Sequence, residues 1–359
     1  MSFRDLVART WEENILFSVL VELTYRCNLD CAFCYNDLAL AGTPLSKEQY
    51  LRFFDDLREM QVVNLTLTGG EPLAHPDFFA LGRAARERGF VVRVKSNGHA
   101  LRGDVARRLK EEVDPLLVEV SLHGATASTH DRQTRVPGSF DRLLSNLHGL
   151  RDMGQAFKIN STLTAWNESE IEAMFAIADD LGAPLQIDPE VTPKDDGSQD
   201  PLELLASLEG VTRLLEIQQA RAAQFLAANA EALREEERPN RPAPTVSKKY
   251  CGAGSSSICI DPFGNVLPCV QWRRPVGNLH HASVKDLWSG NGKLDAIRGI
   301  TTDVKSMIEA EPGGRTMSFC PGTAENHTGD PKRFYRTAET RRIAAGAADE
   351  RKRRLPVVG

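Results

Sequence analysis

The sequence predicts an α/β fold built on parallel strands. Two observations carry that prediction. Six apolar segments of strand length alternate with amphipathic helical segments between residues 15 and 190, with no hairpin signal among them. The least ordinary short motifs, three cysteines, TGGEP, SNG and SLHG, each fall just after one of the first four strands. Loops at the carboxyl ends of parallel strands are where such folds place their chemistry.

The first strand is ILFSVLVEL (15–23). A helix follows, opened by Ser46 with Gln49 three residues on, the pattern of a capping box, and carrying Tyr50, Phe53, Phe54 and Leu57 at helical spacing. VNLTLT (63–68) alternates as the second strand, and the helix after it begins at Pro76 and ends at Gly89. FVVRVKS (90–96) is the third strand and DVARRLKEEV (104–113) its helix. LLVEVSL (116–122) is the fourth, followed by a helix with Ser139 at its start and Leu143, Leu144, Leu147 and Leu150 on one face. FKINSTLT (157–164) is the fifth, with Asn167 and Glu170 opening the next helix, and PLQIDPEV (184–191) is the sixth. Six β/α units joined by right-handed crossovers fall short of a closed eight-stranded barrel. An open partial barrel and a doubly wound sheet both satisfy the pattern.

Beyond the sixth strand the pattern changes. Residues 203–235 read as a helix pair, and RPNRPAPTVSKK (238–249) reads as a proline-rich linker. These divide the chain into a first unit (1–202), a helical segment and linker (203–249), a Gly-rich second unit (250–334) and a charged tail (335–359), read as a solvated helix or disordered. In the second unit, IDPFGNV predicts a hairpin turning at Pro262 to Asn265.

Composition is that of an ordinary globular protein, 41 % hydrophobic and 26 % charged, with a formal net charge of -5. That charge gives no reason to expect nucleic acid or an anionic membrane as partner. The apolar run near the start is too short to span a bilayer and has the wrong flanks for an export signal. A cytoplasmic location is expected, and with it reduced thiols. The seven cysteines then need another account. They fall into a set of three (Cys27, Cys31, Cys34) and a set of four (Cys251, Cys259, Cys269, Cys320). Structural zinc closes with four protein ligands, whereas three thiols on a cubane iron–sulfur cluster leave one iron open.

CNLDCAFC resembles the CX3CXφC motif of the radical S-adenosylmethionine enzymes, with Phe33 at the φ position. The resemblance covers residues 15–190 and implies that family's partial (β/α)6, TIM-like barrel. It implies that Cys27, Cys31 and Cys34 hold a [4Fe–4S] cluster whose fourth iron binds the amino and carboxylate groups of S-adenosylmethionine. Reductive cleavage of the sulfonium then gives a 5′-deoxyadenosyl radical that takes a hydrogen atom from substrate. TGGEP resembles the family's GGEP element, placing Gly69, Gly70, Glu71 and Pro72 at the cofactor, with Glu71 toward its ammonium group. KSNG and VSLHGAT resemble its ribose- and methionine-contacting segments, which adds Ser96, Asn97 and Ser121. In HDRQTRVPGSF, Arg132 or Arg135 is the candidate partner of the cofactor carboxylate.

Cys251, Gly264 and Cys269 form a CX12GX4C pattern that resembles the opening of SPASM or twitch auxiliary iron–sulfur modules, folded as a β-hairpin plus helix. The dense later cysteines of a full SPASM domain are missing, so one auxiliary [4Fe–4S] cluster on Cys251, Cys259, Cys269 and Cys320 is expected. Cys259 stands outside the usual motif and also reads as a hydrogen-atom donor to a substrate radical, or as a buried inert thiol.

After the sixth strand, Asp188 heads a group with Glu190, Lys194, Asp195 and Asp196; an acidic residue there anchors a basic substrate or takes a proton. The stretch resembles those of enzymes that modify ribosomally made peptides by cross-linking, epimerisation or other C–H functionalisation. A peptide substrate, a separate leader-recognition protein and a low-potential flavodoxin- or ferredoxin-type donor are the partners this implies. The alternative is a small-molecule substrate, such as a tetrapyrrole precursor or an aminoglycoside. A non-catalytic electron carrier or redox sensor has no use for an open iron at a barrel mouth.

Overall fold

The computed structural model describes residues 3–36, 39–230, 247–312, 314 and 318–354. Six parallel strands stand at the expected places: β1 (Ser18–Glu22), β2 (Asn64–Thr68), β3 (Val91–Ser96), β4 (Leu117–Ser121), β5 (Phe157–Thr162) and β6 (Leu185–Asp188). Each pairs with its sequence neighbour, and the order β6-β5-β4-β3-β2-β1 never reverses. A doubly wound sheet needs a reversal, so the partial barrel is the architecture.

Strand alternation sorts the side chains into two faces. Val19, Val21, Leu65, Leu67, Val92, Val94, Val118, Val120 and Ile159 are buried in one apolar core under the helices. Each such side chain contributes about 1.5–3 kcal/mol on burial. Of the alternate residues, Lys95, Glu119, Asn160 and Asp188 are polar and line a cavity inside the sheet. An apolar jacket around a polar interior is what a barrel with a working cavity requires.

The helices are α1 (Phe3–Glu12), α2 (Lys47–Glu59), α3 (Phe78–Glu87), α4 (Gly103–Arg108, continued by a wider turn, Leu109–Val113), α5 (Ala127–Thr134), α6 (Ser139–Asp152) and α7 (Ile171–Asp180). The Ser46–Gln49 capping box is present in both directions, and Tyr50, Phe53, Phe54 and Leu57 are the buried face of α2. Two helices were not foreseen, α1 and the short α5. Neither has a long apolar stripe to announce it.

The C-terminal part departs further from expectation. Instead of a helix pair, one helix, α8 (Leu208–Ala228), is described; residues 231–246, with most of the expected linker, lie outside the described residues. The hairpin forms as β7 (Ser257–Ile260) and β8 (Asn265–Leu267), followed by the short β9 (Gly277–Asn278). Asp261 fixes its turn, accepting from the backbone of Phe263 and Asn265 at 2.9 and 2.8 Å. β7 also pairs in parallel with β1, so the hairpin extends the barrel sheet. Around it stand α9 (Val284–Ser289), α10 (Gly292–Ala310) and α11 (Pro321–Thr328). The tail forms α12 (Arg336–Arg354), a helix as one of the two expectations had it, but packed rather than solvated. Ala338, Ala344 and Ala348 are buried, and Ala344 joins the core formed with Leu163, Met174, Val211 and Leu214. Small residues at helical spacing let α12 lie close to α8, a signal that hydrophobicity patterns overlook. No helix among the described residues is long and apolar enough to cross a membrane.

Candidate active site

The three-cysteine loop leaves β1 and is held from two sides. On one side the glycines after β2 approach its backbone: the amides of Gly70 and Glu71 donate to the carbonyls of Thr24 and Arg26 at 2.7 and 2.9 Å. A Cβ on Gly69 would lie 2.3 Å from the Thr24 carbonyl oxygen, and one on Gly70 would lie 2.6 Å from that of Tyr25. Gly69 also has φ of +138°, a conformation closed to ordinary side chains. On the other side, the amides of Asp30 and Ala32 donate to the carbonyls of Thr134 and Gln133 at the end of α5, at 3.1 and 2.9 Å. The short helix missed in the sequence thus has a definite task.

Glu71 lies elsewhere than expected. Its carboxylate is buried and accepts from the Leu73 amide at 3.0 Å, the Asn97 amide at 2.8 Å and the Ser96 hydroxyl at 3.0 Å. It ties the loop after β2 to the loop after β3 and does not line the cavity. Pro72 is buried at the start of a short turn beside it. Ser96 is occupied in the same knot, donating to Glu71 and accepting from Gly98. Asn97 reaches the cysteine loop, its side-chain amide lying 3.7 Å from Cys27 Sγ and 2.7 Å from Asn28 Oδ1.

A cavity of about 660 Å³ opens inside the barrel mouth. Cys27, Cys31, Cys34, Phe33, Gly69, Gly70, Ser96, Asn97, Ser121 and Asp188 all line it, so most of the residues expected at the cofactor converge. Arg132 does not line it; its guanidinium stacks 3.9 Å from the centre of the Trp166 ring. Arg135 pairs with Asp30 at 3.3 Å. The cavity also has walls that the sequence reading missed. Glu119 accepts from Asn160 at 2.9 Å and pairs with Arg93 at 3.0 Å and Lys95 at 3.6 Å. Burial works to raise its carboxyl, but Lys95, Asn160 and Arg93 outweigh that and hold it below the ordinary range. A charged residue within an otherwise apolar strand, LLVEVSL, is the signal that would have found it. His123 meets Phe33 edge to face at 4.7 Å, and burial lowers its imidazole to about 3, so it is neutral.

The far wall is built by α12. Arg341 pairs with Asp188 at 2.9 Å and Glu190 at 3.4 Å, and Thr337 donates to Glu190. Tyr335 lies 3.5 Å from Glu190 and accepts from the Cys320 amide at 3.1 Å. Burial raises the Glu190 carboxyl to about 7, although Thr337 and Arg341 act against it. Asp188, Glu190, Arg341 and Cys320 all face the cavity.

The residues beside Cys251, Cys269 and Cys320 touch one another. The Phe319 amide donates to the Tyr250 hydroxyl at 3.1 Å, and the Gly254 amide donates to the Pro268 carbonyl at 3.1 Å. At Gly322 a Cβ would meet the Gln271 carbonyl oxygen at 2.5 Å, so the start of α11 lies directly on the turn after Cys269. Cys259 is fully buried on β7 between Leu20 of β1 and Leu267 of β8. The charges that act on it include Glu22, Arg273 and Cys269, and it does not line the cavity.

The donor sets suit iron–sulfur clusters. Burial and neighbouring thiols push Cys34 up to about 11 and Cys251 to about 12. Such thiols become ligands when a metal supplies the missing positive charge.

Comparison with known proteins agrees with this geometry. The Radical SAM superfamily matches residues 21–178, and the SPASM iron–sulfur cluster-binding domain matches residues 251–311. The chain belongs to the radical S-adenosylmethionine superfamily, and its C-terminal part is a SPASM-type module. It therefore uses S-adenosylmethionine with a [4Fe–4S] cluster and carries auxiliary iron–sulfur binding. It is 27 % identical over 281 residues to the AdoMet-dependent heme synthase of Methanosarcina barkeri, covering 74 % of this chain and 80 % of that one. Mycofactocin maturase of Mycobacterium ulcerans is 32 % identical over 256 residues, of which the alignment spans 69 % of this chain and 66 % of the maturase. PqqA peptide cyclase of Ruegeria pomeroyi is 29 % identical over 295 residues, covering 79 % and 76 %. Among solved structures, Streptococcus suis SuiB superposes with a TM-score of 0.67 over 90 % of this chain and 77 % of its own, at 16 % identity. The structure of anSMEcpe with bound AdoMet superposes with a TM-score of 0.59 over 79 % and 83 %, at 18 % identity. These two likenesses speak for the fold.

Proposed function

We propose that this chain modifies a ribosomally made peptide by radical C–H chemistry. Cys27, Cys31 and Cys34 are assigned to the cluster that binds S-adenosylmethionine, and the C-terminal set to one auxiliary cluster. The observation that carries the reading is the shared cavity: thiols of the first loop and Cys320 of the second set line one space. A substrate lying there reaches both ends. The mycofactocin maturases and the PqqA peptide cyclase among the relatives favour a peptide as that substrate.

When bound, the cofactor and its cluster supply a hydrogen-abstracting radical; the chain's own residues do the rest. The glycines at 69 and 70 bring the loop backbones together, and Asn97 offers a hydrogen bond to Cys27. The neutral His123 and the Phe33 ring exclude water on one side. Asp188 and Glu190 hold negative charge or a proton on the other, steadied by Arg341. A separate leader-recognition protein and a flavodoxin- or ferredoxin-type donor complete the proposal.

The heme synthase, aligned over 80 % of its length, favours a second reading, a tetrapyrrole substrate. Anaerobic co-expression with the short reading frames that flank the gene separates the two. A peptide whose mass changes only when Cys27 is intact supports the proposal. Turnover of a propionate-bearing tetrapyrrole, with every flanking peptide unchanged, overturns it.

A further inference from the structure

Three neighbouring strands of the barrel carry a row of charge in which cations are in surplus. In the register of β3, β4 and β5, Lys95 stands opposite Glu119 and Glu119 stands opposite Lys158. Arg93, two residues earlier on β3, pairs with Glu119 at 3.0 Å. Lys95, Arg93 and Lys158 all act on that one buried carboxylate. The other carboxylates on the cavity wall have cations of their own: Asp188 and Glu190 share Arg341, and Asp30 pairs with Arg135. Two positive charges of the row are left over.

The donors of these cations are also unspent. Glu119 accepts from Arg93 and from the Asn160 side-chain amide, the latter at 2.9 Å. Lys95 Nζ lies 3.6 Å from Glu119, too far for a hydrogen bond, and the residue lines the cavity. Arg93 Nε is buried with no hydrogen-bond partner. Lys158 donates to Gln186, which lines the cavity as well. Burial depresses the Lys158 ammonium, Glu119 opposes that, and Lys95 and Arg93 add to it. Like charges gathered around one counter-ion are stabilised by a second anion. The row also runs away from the cysteine loop, since Arg93 lies about 7 Å further from the carboxyl end of β3 than Lys95. An anion drawn to it enters the barrel below the loop assigned to the cofactor.

We propose that Lys95, backed by Arg93 and Lys158, seats a carboxylate of the substrate, so that the group entering the barrel is anionic. In a peptide this is an acidic side chain or the C-terminal carboxylate; in a tetrapyrrole it is a propionate. Lys95 donates to the carboxylate, and Arg93 and Lys158 add charge from beside it. Lys95 thereby determines specificity, because a substrate with an amide in that place leaves the surplus charge unbalanced. The inference rests on the proposed function only in taking this cavity as the substrate site, and it holds for either substrate class.

The test uses the full chain after anaerobic reconstitution, with butyrate as probe and butyramide as its neutral counterpart, followed by saturation-transfer difference NMR. Butyrate should bind saturably and butyramide should not. Lys95→Met should weaken butyrate binding about tenfold, the effect of one charge-assisted hydrogen bond, whereas Lys95→Arg should restore it. Lys158→Met removes surplus charge without touching Lys95 and should weaken binding about threefold. Lys248→Met, a change outside the barrel, should leave it as it was. Iron content and far-UV circular dichroism should be the same in every variant, which separates loss of the site from loss of the fold. Saturating S-adenosylmethionine should leave butyrate bound; displacement of butyrate by it would assign Lys95 to the cofactor carboxylate and overturn the inference. No saturable butyrate binding, equal binding of butyramide, or butyrate binding indifferent to both Lys95→Met and Lys158→Met overturns it too. The peptide reading stands or falls separately, on the mass of the co-expressed peptide: unchanged peptides beside selective butyrate binding reject that reading alone.

Discussion

Single residues decide both the chemistry and its pH dependence. Replacing Cys27 with Ala should abolish 5′-deoxyadenosine formation and lower iron by one cluster, because two thiols do not hold a cubane. Glu190 makes a separate prediction. Its carboxyl is raised by burial to about 7 in the folded chain, above the value of an exposed glutamate. Between about 4.5 and about 7 the native state therefore holds a proton that the unfolded chain has released. The stability this gives is complete at the low end and is lost as pH rises, by up to about 3 kcal/mol. Denaturation midpoints across that range should fall with pH in the natural chain and flatten in Glu190→Gln; equal slopes would show that Glu190 titrates normally. The cysteines could be read from spacing alone because ligand number is a local property. Glu190 and Arg341 could not be paired that way, since they lie on segments far apart in the chain and meet only when α12 folds back.

At the level of elements, the loops work by close backbone approach. Gly70→Ala would set a Cβ 2.6 Å from the Tyr25 carbonyl and 2.7 Å from that of Arg26. The cysteine loop must then shift, and a displacement of that order costs about 10²-fold in rate where geometry governs reaction. We expect 5′-deoxyadenosine formation to drop accordingly while far-UV circular dichroism stays unchanged; undiminished activity would show that the contact yields. The six strands and the capped α2 were legible because periodicity and capping are written in consecutive residues. The chain's α5 was not, being a polar helix of eight residues, nor was the packing of α12, which is made through alanines. Ala344, fully buried against α8, marks the second case. Ala344→Leu should overfill that seam and destabilise by about 1–3 kcal/mol, measurable by urea denaturation.

Across the whole molecule, the barrel and the C-terminal module form one working unit. β7 extends the barrel sheet, and Arg273 from the module reaches Glu22 at 2.9 Å, Asp195 at 3.0 Å and the Tyr25 hydroxyl at 2.5 Å. Glu22 is fully buried, so Arg273→Met would leave its carboxyl without its counter-charge. The cost should be about 3–5 kcal/mol, with both clusters affected because the network joins their supports. Such a bridge was invisible in the sequence, where the second unit read as an appendage behind a linker. Cys259 lies in the same seam, paired with Leu20 of β1 and Leu267 of β8.

The most direct test of the account is anaerobic reconstitution followed by reduction with dithionite in the presence of S-adenosylmethionine. The natural chain should bind about eight irons and release 5′-deoxyadenosine. Cys27→Ala should bind about four irons and release none, while Cys320→Ala should bind about four and still release it. Iron for a single cluster in the natural chain, or 5′-deoxyadenosine from Cys27→Ala, would contradict the two-site account.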